Sequence, residues 1–225
     1  VLPLVAAAGL PAPVRADERQ REFVPEANAF VNLSDRTRLF LLADVTNNLT
    51  ANTTEGEYGV HVDIALKPVF RPELHAADWE RNRYLWTRVG YVQLGSPDKG
   101  SSGPTERRGI VELTGRMPLP EEVWLVLRGR VDLRDLGGEF SRRYRYRLGI
   151  ERELTVSGVV MVPYAQAEIF YDTRYGSWNR HLYQAGAEIE LSKRWRIEPY
   201  LARQNDSSAA SGNVVRAGLV LKYFR

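Results

Sequence analysis

The run RRYRYRLGIE, Arg142 to Glu151, repeats arginine at Arg143, Arg145 and Arg147 and sets Tyr144, Tyr146, Leu148 and Ile150 on the alternate positions. Side chains of a strand point to opposite faces in turn, so an extended chain sorts these residues into one charged and one apolar face. A helix would scatter them round its circumference. The same period of two recurs along almost the whole chain. In WLVLRGRVDLR, Leu125, Leu127, Gly129, Val131 and Leu133 oppose Arg128, Arg130, Asp132 and Arg134. YGVHVDIAL, YQAGAEIEL and the final VVRAGLVLKYF alternate in the same way.

Such segments fall near 22–33, 36–47, 57–68, 81–94, 106–117, 123–135, 141–153, 159–172, 179–191, 195–204 and 213–224. Each is about ten residues or longer, which suits a tilted membrane-spanning strand better than the short strands of soluble sheets. Short connections (Ser34-Asp35, Pro118 to Glu121, Ser192 to Arg194) alternate with longer polar ones (NNLTANTTEG, SPDKGSSGPT, NDSSAASG). RPELHAADWE has the composition of a short helical excursion on a connection. The expectation is an all-β chain forming a transmembrane antiparallel up-and-down β-barrel. The segments number eleven, whereas bacterial single-chain barrels have an even count with both ends at one rim. The expected number is therefore twelve strands, ten next, with the extra strand near 17–21 or in a longer connection.

A β-sandwich or a lipocalin-like barrel also alternates, but turns its apolar face inward. Three features favour the inverted arrangement. The polar faces carry glycine between charges at Gly59, Gly90, Gly149, Gly186 and Gly218, as a crowded lumen requires. The apolar faces mix alanine and glycine with leucine and valine, which lipid tolerates and an interlocked core does not. Tyr58, Trp86, Trp124, Tyr171, Trp178, Trp195 and Tyr223 gather towards strand ends, where interfacial girdles sit.

The first residues, VLPLVAAAGLPAPVRA, form an apolar run ending in small residues, too short and too rich in proline to span a bilayer as a helix. Val14-Arg15-Ala16 fits a small-x-small cleavage site, so residues 1–16 read as the remnant of a secretory signal cleaved after Ala16. Residues 17–225 then form a single barrel in the bacterial outer membrane. The chain has no cysteine, which excludes thiolate metal sites and disulfides. Its net charge is only +3, yet arginine outnumbers lysine 27 to 4. Arginine is the side chain suited to bidentate pairing with carboxylates, although a GC-rich genome would give the same bias.

Arg216-Ala217-Gly218-Leu219-Val220-Leu221-Lys222-Tyr223 resembles the C-terminal signal read by the outer-membrane barrel assembly machinery: a polar residue at Arg216, then Gly218, Leu221 and the aromatic Tyr223. Phe224 and Arg225 follow, whereas many such proteins end on the aromatic. Over nearly the whole mature chain the sequence also resembles the DUF2490 family of Gram-negative outer-membrane proteins. The residues carrying that likeness are NAFVNLSDRTRLFLLADV, SRRYRYRLGIE, PYAQAEIFYD and NRHLYQAGAEIELSKRWRIEPYLARQ. The resemblance implies a barrel, and it brings no activity and no catalytic residues.

In a barrel of this kind Arg128, Arg130, Arg134, Arg143, Arg145 and Arg147 share the inward face of two neighbouring strands. Glu151, Glu168, Glu188, Glu190 and Glu198 also assign to the lumen. Placed outward at mid-membrane, each arginine would cost about 2–4 kcal/mol. The patch admits two readings. Arginine and glutamate cross-pair and fill the bore, giving a non-conducting structural or partner-binding subunit of an envelope complex. Alternatively, the arginines line a narrow passive channel for small anionic solutes, since fixed positive charge favours anion entry. Arginine ladders of this kind resemble, in composition and strand face, those of twelve-stranded channels for acidic oligosaccharides.

A lipid-modifying enzyme would need a Ser–His pair at the membrane edge. The histidines are His61, assigned to the lumen near Asp63, His75 on a connection, and His181 near a rim beside Ser177. They lack the close spacing of a metal site. No catalytic residue, cofactor or metal is therefore expected. Nucleic-acid binding needs cations and aromatics on one face, and here they alternate to opposite faces. The expected partners are outer-membrane lipid and lipopolysaccharide, the barrel assembly machinery during biogenesis, small anionic solutes, and a protein of the envelope.

Overall fold

The backbone of an extended segment leaves N–H and C=O groups on both edges, and only closure of a sheet on itself removes the last unpaired edge. The computed structural model, which describes residues 19–66, 84–95, 105–208 and 212–225, shows that solution. Its strands are β1 (Gln20–Asn32), β2 (Thr37–Asn48), β3 (Thr53–Ala65), β4 (Leu85–Gly95), β5 (Glu106–Pro118), β6 (Val123–Leu136), β7 (Glu139–Arg152), β8 (Leu154–Val156), β9 (Val159–Asp172), β10 (Ser177–Glu190), β11 (Trp195–Asp206) and β12 (Asn213–Phe224). All belong to one sheet. Each long strand pairs with its chain neighbours, β7 pairs with β9, and β1 closes on β12.

The sheet thus has twelve strands, but eleven form the wall. The twelfth, β8, is a three-residue strand hydrogen-bonded to β9 in the connection that follows β7. An odd wall makes its last strand run the same way as its first. The seam β1–β12 is accordingly parallel, from Gln20↔Val214 to Phe30↔Phe224, while the other pairs are antiparallel. The start of β1 and the end of β12 therefore lie on opposite rims, not on the one rim expected from an even count.

The segments read from the alternation match the wall strands closely, with one exception. NNLTANTTEG is not a long loop. Strand β2 runs to Asn48 and β3 begins at Thr53, with Asn48 opposite Thr53 and Asp44 opposite Glu57. Backbone pairing continues through these polar residues because the ladder needs only N–H and C=O groups. The longest connection, between Ala65 and Leu85, lies on the same rim as the short turns after β1, β5 and β10, so connection length does not sort by rim. Two-residue turns join β6 to β7 at Gly137 (φ 60°) and Gly138 (φ 93°), and β8 to β9 at Ser157 (φ 52°) and Gly158 (φ 81°), each pair taking the two positive-φ positions of a primed hairpin turn. The proposed leader 1–16, the RPELHAADWE excursion and most of SPDKGSSGPT lie outside the described residues.

Alternation resolves into an inside and an outside. Leu201, Tyr58, Tyr146, Leu148, Ile150 and Val60 are among the many large apolar side chains more than half exposed on the outer face. Charged side chains on that face (Arg21, Arg107, Asp135, Arg142, Arg152 and Arg203) fall within the first or last four residues of their strands. Outward aromatics meet near the ends: Tyr171 lies 5.5 Å from Trp178, and Trp195 lies 4.8 Å from Tyr223. Tyr58, Trp86 and Trp124 do not join this girdle. Tyr58 is exposed on the outer face but stands at the middle of β3, which begins at Thr53. The two tryptophans fall on the inward register of their strands, Trp86 buried against Ala65 and Trp124 under the Arg116 guanidinium at 4.6 Å.

Glycines on the inner face make room for rings. Gly218 lies opposite Tyr200, which lies opposite Gly186, and a Cβ added at Gly218 would overlap the Tyr200 ring. Gly90 stands in the same relation to His61. Gly218→Ala is expected to lower stability by about 1–3 kcal/mol through overpacking. Adding Tyr200→Ala should recover part of that loss, so denaturant unfolding of the double variant should fall short of the summed single effects.

Candidate functional site

Inward-facing residues of every wall strand enclose a cavity of about 620 Å³. Its most charged region grows from the inward positions of β6 and β7, which register pairs directly: Arg128 opposite Arg147, Arg130 opposite Arg145, Asp132 opposite Arg143. Two arginines side by side repel unless a carboxylate stands between them. Glu168 of β9, opposite Arg147, supplies it. Its carboxylate accepts from Arg145 Nε at 2.8 Å, Arg147 Nη2 at 2.9 Å and Arg128 Nη2 at 2.8 Å. Asp132 accepts from Arg130 Nε and lies 3.7 Å from Arg145, while Glu112 lies 3.5 Å from Arg128. Glu168 and Asp132 are 1% and 0% exposed. Four guanidinium groups thus share three buried carboxylates.

A second group lies further towards the rim where β1 begins. Asp172 accepts from Arg134 Nη1 at 2.6 Å and Arg143 Nη2 at 2.9 Å, and Arg134 also pairs with Glu106. A third joins β2, β3 and β4, where Asp63 takes Arg38 and Arg88, each at 2.6 Å. Arginines also stack on inward rings. Phe224, Phe30, Phe40 and His61 are successive cross-strand neighbours with centroids about 5 Å apart. Arg196, Arg38 and Arg88 lie over the three phenylalanines at 4.4, 4.3 and 4.1 Å.

Five of the six arginines singled out in the sequence line the cavity: Arg128, Arg130, Arg143, Arg145 and Arg147. Arg134 is buried between Glu106 and Asp172 and does not reach it. Among the glutamates, Glu151, Glu188 and Glu198 line it, each against a cation: Arg116 for Glu151, Arg196 and Lys222 for Glu188, and Lys222 for Glu198. Glu168 lies beneath the arginines, and Glu190 ends β10 away from the lining. Of the C-terminal signal residues, Arg216 faces inward and pairs with Glu22 across the seam at 2.7 Å. Gly218 faces the Tyr200 ring, Leu221 is exposed on the outer face, and Tyr223 packs at a tilt against Trp195.

Sequence reasoning missed a second acidic group on β1 to β3: Glu22, Glu26, Asp44, Glu55 and Glu57, all lining the cavity. Glu22 and Glu26 alternate with Val24 and Asn28, a signal legible in REFVPEAN. Glu55 was hidden because its run reads as a loop, whereas Glu57 opens the alternating segment 57–68. Of the histidines, His61 is buried on the inner face, and His181 is exposed on the outer face of β10. Among the described residues no group of three histidines or carboxylates is arranged to hold a metal ion. No protein-family model matches the chain, and no curated protein matches it in sequence.

Removing Glu168 would leave three buried guanidiniums facing one another. Glu168→Gln is expected to cost about 3–5 kcal/mol in equilibrium unfolding. Glu190→Gln, at a strand end with no ion pair among the described residues, should stay within about 0.5 kcal/mol of the parent.

Proposed function

We propose that the chain is a bacterial outer-membrane β-barrel, of the type its resemblance to DUF2490 implies, whose lumen is a narrow passive channel for small solutes bearing negative charge. The outer face supports the membrane placement. Its mid-strand positions are uncharged, with Tyr58, Tyr91, Tyr146 and Tyr183 among them, its charges sit at strand ends, and the outward pairs Tyr171–Trp178 and Trp195–Tyr223 lie near the rims. Such a surface meets lipid and lipopolysaccharide at low cost, and strands of this length cross a bilayer when tilted. The last strand, with Arg216, Gly218, Leu221 and Tyr223, would be the segment read by the barrel assembly machinery.

The observation that carries the channel is the direction of the ion pairs. Those between described residues join strands no more than two apart round the wall: Arg128 to Glu168 across β7, Arg116 to Glu151 across β6, Arg108 to Glu57 across β4. Pairing of this kind holds charge against the wall and leaves the bore between opposite walls. The arginines of β6 and β7 then attract anions towards it. The depth of the Glu168 network favours a second reading, a non-conducting barrel serving as a subunit of an envelope complex. Neither reading assigns a catalytic residue or a cofactor.

Two experiments test this. Val111→Arg, at the middle of β5 on the outer face, should cost about 2–4 kcal/mol for unfolding in lipid bilayers. A cost near zero would remove the membrane placement. In planar bilayers the purified barrel should give discrete conductance steps, and Arg145→Glu should lower the ratio of anion to cation permeability. Silence across many verified insertions would favour the non-conducting subunit.

A further inference from the structure

The cavity lining is nearly balanced in charge but not evenly mixed. Among the described residues eleven basic and nine acidic side chains line it. The linings of β6 and β7 hold five arginines and one carboxylate, Glu151. Those of β1, β2 and β3 hold Glu22, Glu26, Asp44, Glu55 and Glu57, with no cation among them. In a wall of eleven strands β7 is five strands from β2 in one direction and six in the other, so these two groups face each other across the bore. Asp44 and Arg145 each lie near the middle of their strands. Asp44 and Glu55 make no hydrogen bond or ion pair with any described residue, whereas Glu22 and Glu57 have Arg216 and Arg108.

Buried polar atoms without partners stand at the same lining. Asn28, 8% exposed, donates to Glu26 at 2.6 Å but leaves its Oδ1 unsatisfied. His61, 3% exposed, has no hydrogen-bond partner on either ring nitrogen.

From this we infer that the channel is built for small zwitterions: solutes whose anionic group turns to the arginine wall of β6 and β7 while a cationic group turns to the carboxylates of β1 to β3. The inference rests on the channel reading and names its substrate class. Crowded carboxylates repel one another, and an incoming ammonium relieves that repulsion while the carboxylate or sulfonate end meets a guanidinium. A simple anion gains at one wall and is repelled by the other, and a simple cation suffers the reverse. Only a solute with both charges is favoured by both walls, in one orientation.

The test is tracer flux into proteoliposomes with three probes of similar shape: trimethylglycine (zwitterion), choline (cation) and neopentane sulfonate (anion). Trimethylglycine should enter faster than either, by a factor on the order of ten for two walls acting together. In Asp44→Asn/Glu55→Gln that advantage should vanish, and neopentane sulfonate should gain on choline. Asp44 and Glu55 hold no described partner, so this variant tests the field without breaking an ion pair; Arg147→Gln, the reciprocal change, should favour choline. Conduction with no zwitterion advantage, or an advantage that survives loss of the two acids, overturns the inference and leaves the channel standing. No flux of any probe from verified insertions overturns both.

Discussion

Glu168 is what allows β6 and β7 to carry arginine on alternate inward positions. Without it, Arg147 would lose its carboxylate, and Arg128 and Arg145 would keep, among the described residues, only Glu112 and Asp132 at 3.5 and 3.7 Å. A carboxylate can accept bidentate guanidinium contacts on both oxygens, so one residue serves three forks, two from β7 and one reaching over from β6. Its place in the chain is fixed by register. The β7–β9 ladder sets Glu168 opposite Arg147, and the β6–β7 ladder sets Arg147 opposite Arg128. A slip of one residue in either ladder would turn the arginines onto the apolar outer face. The network and the register therefore specify each other.

The same dependence shapes the rest of the inner wall. Rings share the guanidiniums with the carboxylates: Arg196, Arg38 and Arg88 lie over Phe224, Phe30 and Phe40 while pairing with Glu188 and Asp63. Where a ring must lie flat on the wall, its cross-strand neighbour is glycine, as at Gly218 and Gly90. The parallel seam follows the same rules. Arg216 of β12 reaches Glu22 of β1, and Phe224 stacks on Phe30 at 4.9 Å, so the closing pair is tied by both charge and ring contact. Burying so many ions is costly, and the wall tolerates it because each central carboxylate holds more than one cation close by.

Much of this was legible in the sequence, because period-two alternation reads directly as strand faces. RRYRYRLGIE and WLVLRGRVDLR disclosed the inward arginines, and the eleven alternating runs disclosed the eleven wall strands. Alternation is silent on what lies across a ladder or across a bore. It could not show that Glu168 would sit beneath the arginines instead of opposing them, nor that Arg134 would be enclosed by Glu106 and Asp172. Composition misled at two points. The polar run NNLTANTTEG keeps its backbone pairing, so Glu55 went unseen. Trp86 and Trp124 lie near strand ends, but their registers turn them inward. The even count was an inference from other barrels, and the parity of the wall followed the runs themselves.

Eleven strands place this barrel between the eight-stranded kind, whose interior is filled by side chains, and the wide porins with an aqueous channel. At this size the orientation of each long side chain decides whether the bore is open. An arginine free to extend would reach inward and meet the opposite wall. One held by carboxylates on its own or a neighbouring strand is folded back along the wall with its guanidinium fixed. The ion pairs of β5 to β9 do the second, and the result is a set of immobile charges around a cavity. Fixed charges need no reorganisation when a solute arrives, so they orient it more strongly than mobile ones of the same number. On that argument dense salt bridges inside this barrel are compatible with the channel proposed for it: the pairing along the wall holds the arginines back from the opposite side.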